Sequence, residues 1–270
     1  MTLLEVDSLS ITTPTGARLV DSASFQVDRG EALGIVGESG SGKSLSCRAV
    51  LGIVPETLAV DAVGIHFDNA DLLHASPSAW RGIRGTRIGA VFQDPGAYLN
   101  PSIPVGRQLA EVHRVKRGLS RHDARSASVT GFGDLGLIDP ERVARRLPRQ
   151  LSGGMLQRVM IAIAIAESPD LLIADEPTTA LDVTVQAEVL DVLEDLRTTR
   201  GVAILFVSHD LPVVARVCER ILVMQHGRIV EQGSASQVLH APEHPYTRAL
   251  LADHAEYGLD RFLVPEPAHV

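Results

Sequence analysis

Hydrophobic and polar positions along this chain first alternate and then cluster. Leu4 to Ile11 and Arg18 to Val27 alternate with period two on either side of the turn signal Thr13-Pro14-Thr15-Gly16, which predicts a small antiparallel sheet. The pattern then changes. Glu31 to Val36 is a short apolar strand, a glycine-rich loop follows it, and Ser44 to Leu51 reads as a helix ending near Gly52 and Pro55. Val63 to Phe67 and Ile88 to Phe92 are further short strands. From Asp94 to Ser168 strand signals vanish, and prolines and glycines separate helical patterns such as Val105 to Val115 and Asp123 to Leu135. This stretch reads as an inserted helical subdomain over 94–168. Strands return at Leu171 to Ala174, Ala203 to Val207 and Ile221 to Met224, alternating with helices at Val183 to Leu196 and Leu211 to Val217. Such alternation predicts an α/β fold with a mostly parallel sheet covered by helices.

Composition narrows the partners. With 270 residues, 45% hydrophobic and 21% charged, the chain has ample material for a folded core of one large domain or two smaller ones. A formal net charge of -8 argues against a nucleic-acid partner, because phosphate neutralisation needs a basic surface. Cys47 and Cys218 are the only cysteines and are far apart, so a disulfide framework, a zinc site and an iron-sulfur cluster are not expected. Both read as buried apolar residues in a reducing compartment. The acidic start Met1 to Asp7 lacks the basic region and apolar stretch of a secretion signal, so no cleaved leader is expected. The longest apolar runs, Val159 to Ala166 and Val202 to Val207, fall short of the ~20 residues that cross a bilayer. Any work at a membrane then requires another chain as anchor. Ala255 to Val270, with Pro265 and Pro267, reads as a short tail.

Two charged features read as surface. His240 and His244 have Pro242 between them, which breaks the helix that would put both on one face, so they are expected in a solvated loop rather than on a metal. The run Arg114 to Arg125, with five basic residues, reads as a solvated helical face.

The first chemical motif is Gly37-Glu38-Ser39-Gly40-Ser41-Gly42-Lys43-Ser44, a full match to G-x-x-x-x-G-K-[ST]. A strand precedes it and a helix follows, which is the context that separates a phosphate-binding loop from a flexible turn. The glycines let the backbone wrap an anion without Cβ collisions, so amide hydrogens and the helix N-terminus face the phosphates. In such a loop Lys43 reaches the β- and γ-phosphates and the Ser44 hydroxyl ligates Mg²⁺. The second motif is Leu171-Leu172-Ile173-Ala174-Asp175-Glu176-Pro177, where an apolar strand delivers two adjacent carboxylates to the C-terminal edge of a sheet. Asp175 suits association with Mg²⁺. Glu176, on the opposite side of the backbone, suits polarisation of an attacking water.

The run Leu151-Ser152-Gly153-Gly154-Met155-Leu156-Gln157-Arg158 taken alone is a helix start: Ser152 caps, two glycines leave amides open, and Met155 to Ala166 continues as helix. Between a phosphate-binding loop upstream and the Asp-Glu strand downstream, it resembles the signature motif of ATP-binding-cassette (ABC) ATPases. Gln93 in Val91-Phe92-Gln93-Asp94-Pro95 resembles the Q-loop glutamine, Thr179-Ala180-Leu181-Asp182 the D-loop, and His209 in Val207-Ser208-His209-Asp210 the switch histidine that senses the γ-phosphate. Singly these are turn and cap residues, but together with the signature run, the glycine loop and the Asp-Glu strand they stand here in family order. The resemblance runs from the N-terminal sheet to about Leu251. Below the superfamily, Phe92 to Pro101, Leu151 to Arg158, Asp182 to Ala187 and His244-Pro245-Tyr246-Thr247-Arg248-Ala249-Leu250 look like the ATPases of oligopeptide, dipeptide and nickel importers. The run Ser44 to Cys47, followed by Leu51 to Pro55, and the ending Ala255 to Leu259 are similar to the nickel-import member.

The resemblance implies a P-loop NTPase fold of the ABC ATPase type, with an N-terminal antiparallel β subdomain and the helical subdomain inserted in a nucleotide-binding domain over 1–254. It implies ATP and Mg²⁺, bound by Gly37, Glu38, Ser39, Gly40, Ser41, Gly42, Lys43, Ser44, Gln93, Ser152, Gly153, Gly154 and Asp182, with Ser44, Gln93 and Asp175 around the metal. Catalysis falls to Glu176, His209, Lys43 and Gln93. Implied partners are a second ABC ATPase, identical or paralogous, two membrane permease subunits and, indirectly, an extracytoplasmic solute-binding protein, with this chain peripheral on the cytoplasmic face of the inner membrane. Peptide, nickel and metal-chelate cargoes are all compatible. Thr13 stands where the family usually stacks an aromatic ring on adenine, and the cysteine-bearing extension of many peptide-importer ATPases is not seen. The alternative is a non-transport ABC ATPase. A DNA-maintenance type needs a long coiled coil between Ser44 and Leu151, and a ribosome-associated type carries two cassettes; neither pattern is seen here.

Overall fold

The computed structural model describes residues 1–179 and 181–256, and the chain divides into two compact units: Met1–His74 with the chain from Leu205 onward, and Ala75–Ile204. Residue 180 of the Thr179 to Asp182 motif and most of the predicted tail, from 257 on, lie outside the described residues.

In chain order the first unit opens with β1 (Thr2–Thr12), β2 (Arg18–Asp28), β3 (Ala32–Val36), α1 (Lys43–Val50), β4 (Ala59–Asp61), β5 (Gly64–Phe67) and β6 (Ala70–Asp71). The second unit holds α2 (Pro77–Ile83), β7 (Ile88–Val91), α3 (Pro95–Tyr98), α4 (Val105–Arg117), α5 (Arg121–Asp134), α6 (Pro140–Ala144), α7 (Gly153–Ala164), β8 (Leu171–Asp175) and α8 (Val183–Arg200). The chain returns to the first unit along β9 (Ala203–Ser208), followed by α9 (Leu211–Val217), β10 (Arg220–Gln225), β11 (Arg228–Ser234), α10 (Ala235–His240) and α11 (Pro245–Glu256).

The N-terminal sheet has the order β2-β1-β5-β6, with β4 also paired to β1. Its alternation is the predicted one: Leu4, Val6, Leu9 and Ile11 of β1 and Val20, Ala23, Phe25 and Val27 of β2 are buried. The register slips between Val6 and Leu9, where Ser8 takes a left-handed φ of 55°, and again between Leu9 and Ile11, where Ser22 of β2 takes one of 52°. Serines absorb the irregularity. Ser8 N–H donates to Ser24 Oγ at 2.8 Å and Ser22 N–H to Ser10 Oγ at 3.1 Å, so the amides turned out of the ladder keep partners.

The other strands of this unit run in the order β11-β10-β3-β9, with β10 parallel to β3 and antiparallel to β11. Every residue of β3 is buried, as the unbroken apolar run requires. α9 lies against it so closely that a Cβ on Gly34 would sit 2.0 Å from Val214 Cγ1. Both cysteines are buried, as expected.

In the second unit β7 and β8 pair in parallel, from Ile88 opposite Leu171 to Val91 opposite Ala174. The helical segment is built around buried Leu109, Ala124, Phe132 and Val143 of α4, α5 and α6. The expectation of a solvated basic face holds only in part. Lys116 Nζ donates to the carbonyls of Arg84 at 2.9 Å and Arg81 at 3.1 Å, and Arg117 to Glu167 Oε2 at 3.0 Å and the Ala166 carbonyl at 2.6 Å. Arg117 stays exposed while making these bonds, and Arg121 and Arg125 at the far end of the run are exposed as read. Long basic side chains at a helix C-terminus meet carbonyl ends of neighbouring elements, which charge counting along the sequence does not see.

Because α9 touches β3 at Gly34, Gly34→Ala should lower the unfolding free energy by about 1–3 kcal/mol through overpacking. Denaturant titration reads this loss, and Gly34→Ala with Val214→Ala should lose less than the two single changes combined. Strictly additive losses would show that this contact is not the cause.

Candidate active site

The glycine loop turns back on itself at the end of β3. Gly37, Gly40 and Gly42 have φ of +153°, +80° and +105°, and a Cβ on Gly37 would lie 2.1 Å from the Met224 carbonyl of β10. No side chain fits there. Lys43, 3% exposed, is wrapped by the loop it belongs to: its Nζ donates to the carbonyls of Gly37 at 2.6 Å and Glu38 at 2.8 Å, and to Ser41 Oγ at 3.3 Å. From outside, Gly227 N–H donates to the Ser41 carbonyl at 3.0 Å and Glu38 N–H to the Tyr246 hydroxyl at 2.9 Å. Ser39 and Gly40 are exposed, and Ser44 is half-buried in the first turn of α1. An ammonium seated among carbonyl oxygens at the mouth of a helix, in a loop whose turns are made by glycines, fits a polyphosphate. His209 is exposed, directly after β9 in the same unit.

The second unit holds the carboxylates. Buried β8 ends at Asp175, 4% exposed, and the next residue, Glu176, takes φ +50°. A non-glycine residue there is strained by about 1–3 kcal/mol and needs support. Glu176 Oε2 accepts from Thr179 Oγ1 at 2.9 Å and from Gln93 Nε2 at 3.1 Å, while Thr179 N–H donates back to the Glu176 carbonyl at 3.3 Å. The structure therefore brings together Gln93 and Glu176, which the sequence places 83 residues apart. Thr179 is the residue that motif reading undervalued: it lies in the D-loop string, but its grip on the carboxylate has no sequence signal beyond its spacing from Glu176.

Beyond Gln93 the chain is shaped by local chemistry. Asp94 caps α3, accepting from Gly96 N–H at 2.9 Å, and the rings of Phe92 and Tyr98 stack with centroids 4.7 Å apart. Gln108 clamps the following turn, accepting from Asn100 N–H at 2.9 Å and donating to the Ile103 carbonyl at 2.7 Å. Ser152 caps α7 and Asp182 caps α8, accepting from Met155 N–H at 3.4 Å and Val185 N–H at 3.0 Å. Gly153 is exposed. Gly154 is buried against α8, where a Cβ would meet Val185 Cγ1 at 2.2 Å, so the signature glycine is also a packing residue.

Thr13 is spent on its own turn. Its Oγ1 accepts from Ala17 N–H at 3.0 Å and lies 2.9 Å from Thr15 Oγ1. His244 departs from the expectation of a solvated loop: it is half-buried, and its Nδ1 accepts from Tyr246 N–H at 3.2 Å at the start of α11, whereas His240 is exposed at the end of α10.

Known proteins resemble this chain over most of its length. A family model described as ABC transporter matches residues 20–179. The dipeptide transport ATP-binding protein DppD of Haemophilus influenzae is 44% identical over 261 residues, 96% of this chain and 79% of that protein. The metal-staphylopine import system ATP-binding protein CntD of Staphylococcus aureus is 43% identical over 253 residues, 93% of each chain. Among solved structures, the dimeric post-hydrolysis ATP-binding cassette MJ0796 bound to ADP and Pi superposes with a TM-score of 0.77 at 27% identity, covering 86% of this chain and 99% of that one. The fold and the site thus define an ABC ATPase cassette, and the chain belongs to the ABC transporter family. Within it the chain belongs to the ATP-binding subunits of the peptide and nickel importer type, ATPases whose hydrolysis is coupled to transport.

Lys43→Ala removes the only side-chain cation inside the glycine loop. The purified chain should lose MgATP binding by at least a hundredfold, about 3 kcal/mol, as expected for a charge-assisted contact. Equilibrium titration at wild-type affinity would contradict the loop's role.

Proposed function

We propose that this chain powers uptake of a peptide, nickel or a metal chelate by closing head to tail with a second cassette, identical or paralogous, beneath two permease subunits. The observation that carries the reading is the paired anchoring of charge: a lysine ammonium buried in a glycine loop, and a glutamate held at the end of a buried strand by Gln93 and Thr179. Similarity to a dipeptide and a metal-staphylopine system supports the cargo classes. No helix among the described residues is long and apolar enough to cross a membrane. In this reading the chain sits peripherally at the cytoplasmic face, with permeases docked near Gln93 to Gly106 and a solute-binding protein engaged through them.

In this reading catalysis is positioning and charge neutralisation. The amides of Glu38 to Ser44 and the Lys43 ammonium hold the phosphates. Ser44, Gln93 and Asp175 would hold Mg²⁺, which would supply neutralisation of phosphate charge. Glu176 orients the attacking water and takes up its proton, kept in one rotamer by Gln93 and Thr179. His209 steadies the γ-phosphate. Ser152, Gly153, Gly154 and Asp182 serve the nucleotide held by the other cassette, since a capped helix start with open amides suits a terminal phosphate.

Glu176→Gln should keep MgATP bound, stabilise a closed cassette pair on gel filtration and lower turnover by at least two orders of magnitude; normal turnover would remove Glu176 from its role. Ser152→Arg separates the two faces of the cassette. The isolated chain should still bind MgATP while turnover of the assembled pair falls, and loss of binding by the isolated chain would place Ser152 on its own nucleotide instead.

A further inference from the structure

The peptide of Glu38 is gripped from both ends. Its carbonyl accepts from Lys43 Nζ at 2.8 Å, and its N–H donates to the phenol oxygen of Tyr246, 208 residues away, at 2.9 Å. Tyr246 is 9% exposed and stands in the first turn of α11. Its direction is set by a second layer of bonds. Glu231 of β11 accepts from Glu243 N–H at 2.8 Å and His244 N–H at 3.0 Å, which pins the segment entering the helix. Arg248 donates to the carbonyls of Pro242 at 3.0 Å and Glu243 at 2.9 Å. Burial alone would raise the pKa of the Glu231 carboxyl, but the Thr247 hydroxyl, the two amides and His244 bring it below the usual value, so it stays an anionic anchor. Burial pushes the Tyr246 phenol up, so it remains neutral near pH 7.

Lys43 cannot serve two partners fully. When its ammonium turns to phosphate oxygens, its bonds to the Gly37 and Glu38 carbonyls weaken, and the Tyr246 bond is a tie to this peptide that needs no lysine. We infer that Tyr246 is a positioning residue of the phosphate-binding loop, holding the Glu38 peptide so that the loop keeps its binding shape when Lys43 engages the nucleotide. The inference rests on the loop's role as the nucleotide site.

Tyr246→Phe keeps the ring and removes only the hydroxyl. In the full-length chain it should raise the Kd for MgATP about three- to tenfold, the range for one neutral hydrogen bond. It should also speed amide hydrogen exchange at Glu38 in the nucleotide-free protein. Loss of general stability would not single out Glu38, so the thermal midpoint should move by no more than a few degrees. Glu231→Gln, which loosens the turn but leaves the phenol in place, should shift Kd and Glu38 exchange in the same direction. An unchanged Kd, or a raised Kd with Glu38 exchange unaltered, overturns the role of Tyr246. A wild-type chain that binds no MgATP would instead overturn the nucleotide reading of the loop, and this inference with it.

Discussion

An ammonium group taken out of water costs several kcal/mol unless oxygen atoms replace the lost hydration. Lys43, 3% exposed, meets that demand from its own loop, through the carbonyls of Gly37 and Glu38 and the hydroxyl of Ser41. The requirement then propagates. To aim carbonyls inward at a side chain six residues on, the backbone must pass through φ values that only glycine takes easily, and it does so at Gly37, Gly40 and Gly42. Such a curl holds only between rigid ends. Buried β3 supplies one, and α1, with Ser46 Oγ bonded to the Gly42 carbonyl at 3.1 Å, supplies the other.

The second unit solves a related problem with the opposite charge. β8 is buried throughout, so its polar groups can emerge only where it ends, and Asp175 and Glu176 stand at that point. The left-handed φ at Glu176 directs the next residues away from the strand and leaves the carboxylate to be caught by Gln93 and Thr179. Strain of this kind persists where neighbouring bonds over-determine it. In both units, then, charge is held at the end of an apolar strand by backbone geometry that the strand alone would not adopt.

Much of this was legible in the chain itself. The buried strands announced themselves as unbroken apolar runs, and the glycine loop, Asp175-Glu176 and the Ser152 cap fall where their motifs place them, because each is decided by residues a few positions apart. What escaped is decided at a distance or by fragments too short for a period. β4, β6 and α3 span 3, 2 and 4 residues, below what alternation can register. β11 is only partly buried, so it lacks the apolar run that marks β3 and β8. The bonds of Lys116 and Arg117 leave no mark in the sequence because their acceptors are carbonyls and a carboxylate on other elements. His244 read as solvated because its bond depends on a helix start that Glu231 fixes from β11.

The phosphate-binding loop shows the same division inside a single motif. Its eight residues carry the glycines and the lysine, yet three of its constraints come from the far end of the sequence. The Met224 carbonyl crowds Gly37, Gly227 N–H takes the Ser41 carbonyl, and Tyr246 takes the Glu38 amide. A chain lacking β10, β11 and α11 would retain the motif letter for letter and lose all three. Glycine makes the curl possible but, having no side chain, cannot select it, so selection passes to neighbours that approach the backbone directly. The motif therefore specifies which shapes the loop can reach, and the C-terminal segment of the first unit specifies which of them it keeps.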